Sequence, residues 1–84
     1  MKLPSQPVTL TIEQVDALNR HLSKMRHDIN NQLSLIVAAT ELIRQKPETL
    51  SRMIGTISEQ PPKATQALLK FSTEFEKMLG ITRE

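Results

Sequence analysis

Apolar residues recur along this chain at alternating steps of three and four, and that spacing limits the possible folds more than any other feature. Val15, Leu18, Leu22, Met25 and Ile29 set the rhythm, which runs on through Leu33, Ile36, Thr40 and Ile43. It resumes at Leu50, Ile54, Ile57, Pro61, Ala64, Leu68, Phe71, Phe75 and Met78. Such heptad spacing puts one apolar seam along a helix that packs lengthwise against another. The steps Ile29 to Leu33 and Met25 to Ile29 are both fours, a stutter that shifts the first seam around its helix just there.

Local signals fix where the helices begin and end. Thr11 can cap the first, with Gln14 three residues on to complete a capping box and Leu10 to staple onto Val15. A short turn, "RQKPE", separates the seams, and Pro47 suits the first position of a second helix that Gly80 ends. Pro61 and Pro62 fall on the second seam without disturbing its register, so a kink near Gln60 within one element is expected rather than a long loop. Residues 1–10, with Pro4 and Pro7, read as a flexible or extended lead-in, residues 11–80 as a helical hairpin and residues 81–84 as a tail.

Two antiparallel helices of about 35 residues, each about 50 Å long, cannot enclose their own apolar faces. Further apolar residues off the seams, Leu35, Val37 and Leu42 on one helix and Met53, Ala67 and Leu69 on the other, call for a partner. The expected fold is therefore all-α: an antiparallel two-helix hairpin that dimerises into a four-helix bundle. Packing of one hairpin against another protein's helices fits the same pattern.

Composition narrows the partners. With 84 residues and no cysteine, the chain has no disulfide or thiolate metal site to reinforce a small core. Eleven basic against nine acidic residues leave a net charge of +2, and two Phe are the only aromatics, which argues against nucleic acid. A helix-turn-helix reading fails on the same ground and on the lack of a short turn between crossed helices. The longest apolar run, Leu35 to Ala39, is far too short to span a membrane, and no signal-peptide core is evident, so a cytoplasmic protein is expected.

One stretch stands apart from this structural pattern. "KMRHDINNQLSLI", residues 24–36, places His27, Asp28, Asn30 and Asn31 together, and His27 falls at the heptad position farthest from the seam. Lys24, Asn30 and Asn31 share its side of the helix, while Asp28 adjoins it. A surface His beside an Asp is ordinarily part of a solvated face. Yet an exposed imidazole can accept a phosphoryl group, a neighbouring carboxylate can orient the ring and take its proton, and amides with Lys24 or Arg26 can hold the phosphate oxygens. Adjacent Asn residues gain a purely structural helix little. His21 is too far around the helix from His27 to share a metal with it and reads as a packed flank residue. Met25, Met53, Phe71, Phe75 and Met78 read as core, and Glu74, Glu76 and Lys77 as a solvated face.

At these residues the chain resembles the dimerisation and histidine phosphotransfer domain of bacterial two-component sensor kinases. "HDINNQL", His27 to Leu33, is similar to that family's H-box, and "ALLKFS", Ala67 to Ser72, to the end of its second helix. The likeness spans about residues 12–79, with specificity confined to the H-box. It implies His27 as phosphoacceptor, Asp28 as its acid/base partner and Asn31 as an aid to transfer or dephosphorylation, with Lys24, Arg26 and Asn30 around the phosphate. It also implies a response-regulator receiver domain docking at His27 and, for some members, a separate kinase domain. Gln32 stands where many members have a proline, so Pro61 and Pro62, opposite about residue 31, are expected to supply the bend instead.

No glycine-rich nucleotide segment accompanies the H-box. The chain alone is therefore not expected to bind ATP as a kinase does and carries no cofactor or metal of its own; ATP and Mg²⁺ would come with the partner kinase and the receiver. A stand-alone module, towards which the initiating methionine leans, and a piece of a larger enzyme both fit. The competing function is a non-catalytic dimeric adaptor or pseudo-kinase fragment in which the H-box is vestigial.

Overall fold

The computed structural model describes residues 1–82 and shows two long helices joined by a single turn. Helix α1 spans Ile12–Gln45, a 3-10 turn Pro47–Thr49, and helix α2 Leu50–Leu79. The Thr11 capping box forms in both directions: the Gln14 amide N–H donates to Thr11 Oγ1 at 3.1 Å, and the Thr11 N–H donates to Gln14 Oε1 at 2.8 Å. These two bonds satisfy donors that the first turn otherwise leaves open. Thr11→Ala should lower stability by about 1 kcal/mol, measurable as a shifted urea midpoint at unchanged slope.

At the other end of the hairpin the Lys46 N–H bonds the Leu42 carbonyl at 2.8 Å, and Pro47 opens the 3-10 turn. The sequence places the second helix start at Pro47; the regular α-helix begins three residues later, after that tighter turn. Helix α2 ends on Gly80, whose φ of 68° is the one left-handed backbone conformation among the described residues. The Ile81 N–H then closes onto the Glu76 carbonyl at 2.9 Å, a Schellman-type stop that only glycine enters without strain.

Helix α2 runs unbroken through Pro61 and Pro62. Neither proline has an N–H, so the carbonyls of Ile57 and Ser58 lose their usual helical donors. Beside them lies Gln60, one of the two fully buried residues: its Nε2 donates to the Thr56 carbonyl at 2.8 Å, but its Oε1 has no partner. Oε1 of Gln32, about opposite in an antiparallel hairpin, is also buried and unpartnered. Gln60→Met keeps the shape and removes the orphaned acceptor. It should stabilise the chain by about 1 kcal/mol, raising Tm by several degrees in a thermal melt.

The hairpin has almost no core of its own. Among the described residues only Ala39, 3% exposed, and Gln60, 2% exposed, are buried. The chain extends 58 × 28 × 12 Å, one helix thick in its shortest direction. Its radius of gyration is 18.0 Å, against about 12 Å for a compact domain of this length. Its 6514 Å² of accessible surface exceeds by roughly 1,500 Å² what a folded monomer of this mass exposes.

The contact line between the helices runs along one edge of the heptad seam. Leu18, Met25 and Ala64 of the seams, with Gln32, Ala39, Met53, Thr56, Gln60 and Ala67 from one edge of them, lie along the contact line, and each is half-buried or buried. Small side chains at Ala39, Ala64 and Ala67 let the backbones approach closely. Larger seam residues are thereby displaced to one side: Val15, Leu33, Leu50, Ile54, Leu68 and Phe75 are exposed. On each helix they stand roughly 60–120° from the contact line in the same sense, so they share one broad apolar face of the hairpin. Part of the seam thus stands exposed beside the contact line; of the off-seam residues expected to need a partner, Leu35, Val37 and Leu69 are exposed, while Leu42, Met53 and Ala67 are half-buried.

The lead-in, read as flexible, is tied down at one point. Lys2 forms an isolated antiparallel bridge with Thr82. The N-terminus therefore lies against the end of α2, and Thr82 of the tail forms that pairing while Ile81 bonds back to Glu76; residues 83 and 84 lie outside the described residues. Among the described residues no helix is long and apolar enough to cross a membrane.

Candidate functional site

Helix α1 presents His27 well away from the contact line, and its side chain is 83% exposed. Asp28, one step of about 100° around the helix, is turned towards α2 and is only 31% exposed. The carboxylate is gripped from both sides. Lys24 Nζ donates to Asp28 Oδ2 at 3.0 Å, from one turn earlier, and His27 Nδ1 stands 3.6 Å from Asp28 Oδ1. The second distance is too long for a formed hydrogen bond.

The Lys24 ammonium, with a smaller contribution from His27, holds the Asp28 carboxyl below the usual carboxylate range despite partial desolvation, which pushes the other way. Asp28 is consequently an anion at neutral pH, and the favourable pairing with Lys24 is present there. It fades only in acid, as pH falls through the depressed carboxyl titration. With Nδ1 on the Asp28 side, the other ring nitrogen, Nε2, is the one further from the carboxylate.

The remaining predicted residues divide between two edges of α1. Lys24 and Asp28 line a groove between the helices together with His21, Met25, Ala67, Lys70 and Phe71. Asn30 lies instead on a shallow surface with Leu33, Ser34, Val37, Ala38 and Glu41. Arg26 and Asn31 are exposed. By helical geometry Asn31, four residues on, follows His27 on the same side, whereas Arg26 points about 100° away towards the apolar face. The structure thus brings Lys24, His27 and Asp28 together and leaves Arg26, Asn30 and Asn31 around their margin.

Lys70 is the site residue that sequence reasoning missed. Nothing in "LLKFS" marks it locally; only the antiparallel register, which sets residue 70 near residues 24 and 28, makes it part of the groove lining. His21 lies in the same groove, half covered, as a flank residue. Among the described residues no group of three or more His, Asp or Glu side chains could hold a metal ion.

With this geometry in hand, the chain was compared with known proteins: no family model, curated protein or solved structure matches it. A functional reading therefore rests on the site and on residues 27–33.

Proposed function

We propose that this chain is a cytoplasmic histidine phosphotransfer and dimerisation module of a two-component signalling system. Two hairpins pair through their apolar faces into a four-helix bundle, leaving the two His27 rings on its outside. The single observation that carries the reading is the 83% exposed imidazole whose Nδ1 faces a Lys24-held carboxylate. The H-box likeness of residues 27–33 supports it independently.

The chemistry follows from that arrangement. Nε2 of His27 attacks the phosphorus of a donor, either the acyl phosphate on a receiver aspartate or the γ-phosphate of ATP held by a partner kinase. The N–P bond forms as the P–O bond to the leaving carboxylate or ADP breaks. Asp28 keeps Nδ1 oriented and stabilises the positive charge that develops on the ring. Lys24, together with Asn31 and the more peripheral Asn30 and Arg26, offsets charge on the phosphoryl oxygens. Return of the group to a receiver aspartate reverses these steps, with the receiver's own Mg²⁺ holding the acceptor side.

Pairing is supported by the missing core. The surplus of roughly 1,500 Å² per chain is of the size that an obligate homodimer covers. In this reading Pro61 and Pro62 kink α2 at the level of residue 32, where helical donors are lost and Gln60 is under-satisfied. The test is incubation with phosphorylated receiver domains. An acid-labile phosphoprotein that disappears in His27→Gln is expected; binding to a receiver without any label would instead favour the dimeric adaptor.

A further inference from the structure

The N-terminal segment crosses the apolar face near its open end. Lys2 N–H donates to the Thr82 carbonyl at 2.6 Å and Thr82 N–H donates back to the Lys2 carbonyl at 2.9 Å, a reciprocal backbone pair. Beside it Met1 lines a depression with Phe71, Ser72, Phe75, Glu76 and Ile81. Phe71 and Phe75 are a tilted aromatic pair with centroids 5.8 Å apart. Phe75 belongs to the same exposed stripe as Leu68 and Ile54, the face through which two hairpins would pair.

We infer that the open end of the apolar face has two alternative occupants, the chain's own N-terminal strap and a second copy of the chain, and that the strap must lift for the bundle to close there. This rests on the paired-bundle reading above and adds a control to it. A partner helix covering Phe75 needs the space that Met1 occupies. The strap is built to be displaced: two backbone bonds hold it, while Met1 and Leu3 remain mostly exposed and so bury little apolar area in place. Gly80, whose left-handed conformation directs residues 81 and 82 back across the helix end, places Thr82 where Lys2 can reach it.

The test uses the full chain. A reciprocally bonded antiparallel pair has a Cα separation of about 5.5 Å, within disulfide range, and the chain has no other cysteine to compete. Lys2→Cys combined with Thr82→Cys therefore locks the strap when oxidised and frees it when reduced, in one and the same protein. Sedimentation equilibrium should show the oxidised form dimerising at least tenfold more weakly than the reduced form. Lys2→Pro, which removes the N–H donated to Thr82, should dimerise several-fold more tightly than the unaltered chain. Equal or tighter pairing of the oxidised form overturns the strap inference while leaving the bundle intact. If the unaltered, reduced and Lys2→Pro chains all stay monomeric at every concentration, the bundle reading fails and the strap inference fails with it.

Discussion

Leu68→Lys is expected to abolish the proposed pairing of this helical chain and leave a poorly structured monomer. Leu68 lies in the exposed apolar face of α2, between Ile54 and Phe75, and is half exposed in the single hairpin. In the paired bundle it would be covered, and a lysine there would bury an unpartnered charge, at a cost of several kcal/mol per chain. The hairpin has little reserve against that loss, since among the described residues only Ala39 and Gln60 are buried and long helices without packed faces are marginal in water. Sedimentation should therefore show loss of the dimer, and far-ultraviolet circular dichroism a large fall in helical signal at the same concentration. Leu69→Lys is the matched control. Leu69 is equally exposed but points away from both α1 and the apolar face, so its change should stay within about 0.5 kcal/mol. Equal behaviour of the two variants would remove the basis for a paired apolar face.

Asp28→Asn should slow labelling of His27 by about 10²- to 10⁴-fold without unfolding the chain. The amide retains the size of the carboxylate but not its charge. It therefore gives no stabilisation to the imidazolium-like ring as the N–P bond forms. Lys24 loses its partner as well, which costs little at so exposed a site. A phosphorylation time course with His27→Gln, Asp28→Asn and the unaltered chain in parallel measures this directly. His27→Gln should give none of the acid-labile product, Asp28→Asn a slow accumulation, and both should retain the native melting curve. Wild-type labelling rates in Asp28→Asn would mean that the carboxylate is only part of a solvated face.

How much of this could be read from the residues depended on how local each signal was. The capping box of Thr11 and Gln14, the proline turn after Lys46 and the glycine stop at position 80 are each settled within a few residues; the cap and the stop form as their sequence suggests, while Pro47 opens a 3-10 turn ahead of the α-helix. The heptad spacing identified two helices and an apolar seam correctly in kind. It did not tell which edge of that seam meets the other helix, because spacing of three and four leaves side chains on two adjacent edges. The discriminating signal was side-chain size. Ala39, Ala64 and Ala67 mark the close approach, whereas Leu33, Ile54 and Leu68 mark the face left over.

The site divides along the same line between local and distant information. His27, Asp28 and Lys24 lie within four residues of one another, so helical geometry alone places them together, and their distances agree with it. Lys70 needed the antiparallel register, and the pairing of Lys2 with Thr82 joins residues 80 positions apart with no periodic pattern to announce it. The buried Gln60 was similarly hidden: its position beside two prolines suggested a kink, but not that its amide would turn inward with one oxygen unsatisfied.

The claim on which the rest depends is that Nε2 of His27 carries a phosphoryl group. Intact-mass analysis and ³¹P NMR of the chain after incubation with a phosphorylated receiver domain address it most directly. The account predicts one phosphoryl group per chain, on Nε2 of His27 and absent from His21. A folded, dimeric chain that takes up no phosphoryl group, or takes it up equally on both histidines, would contradict it.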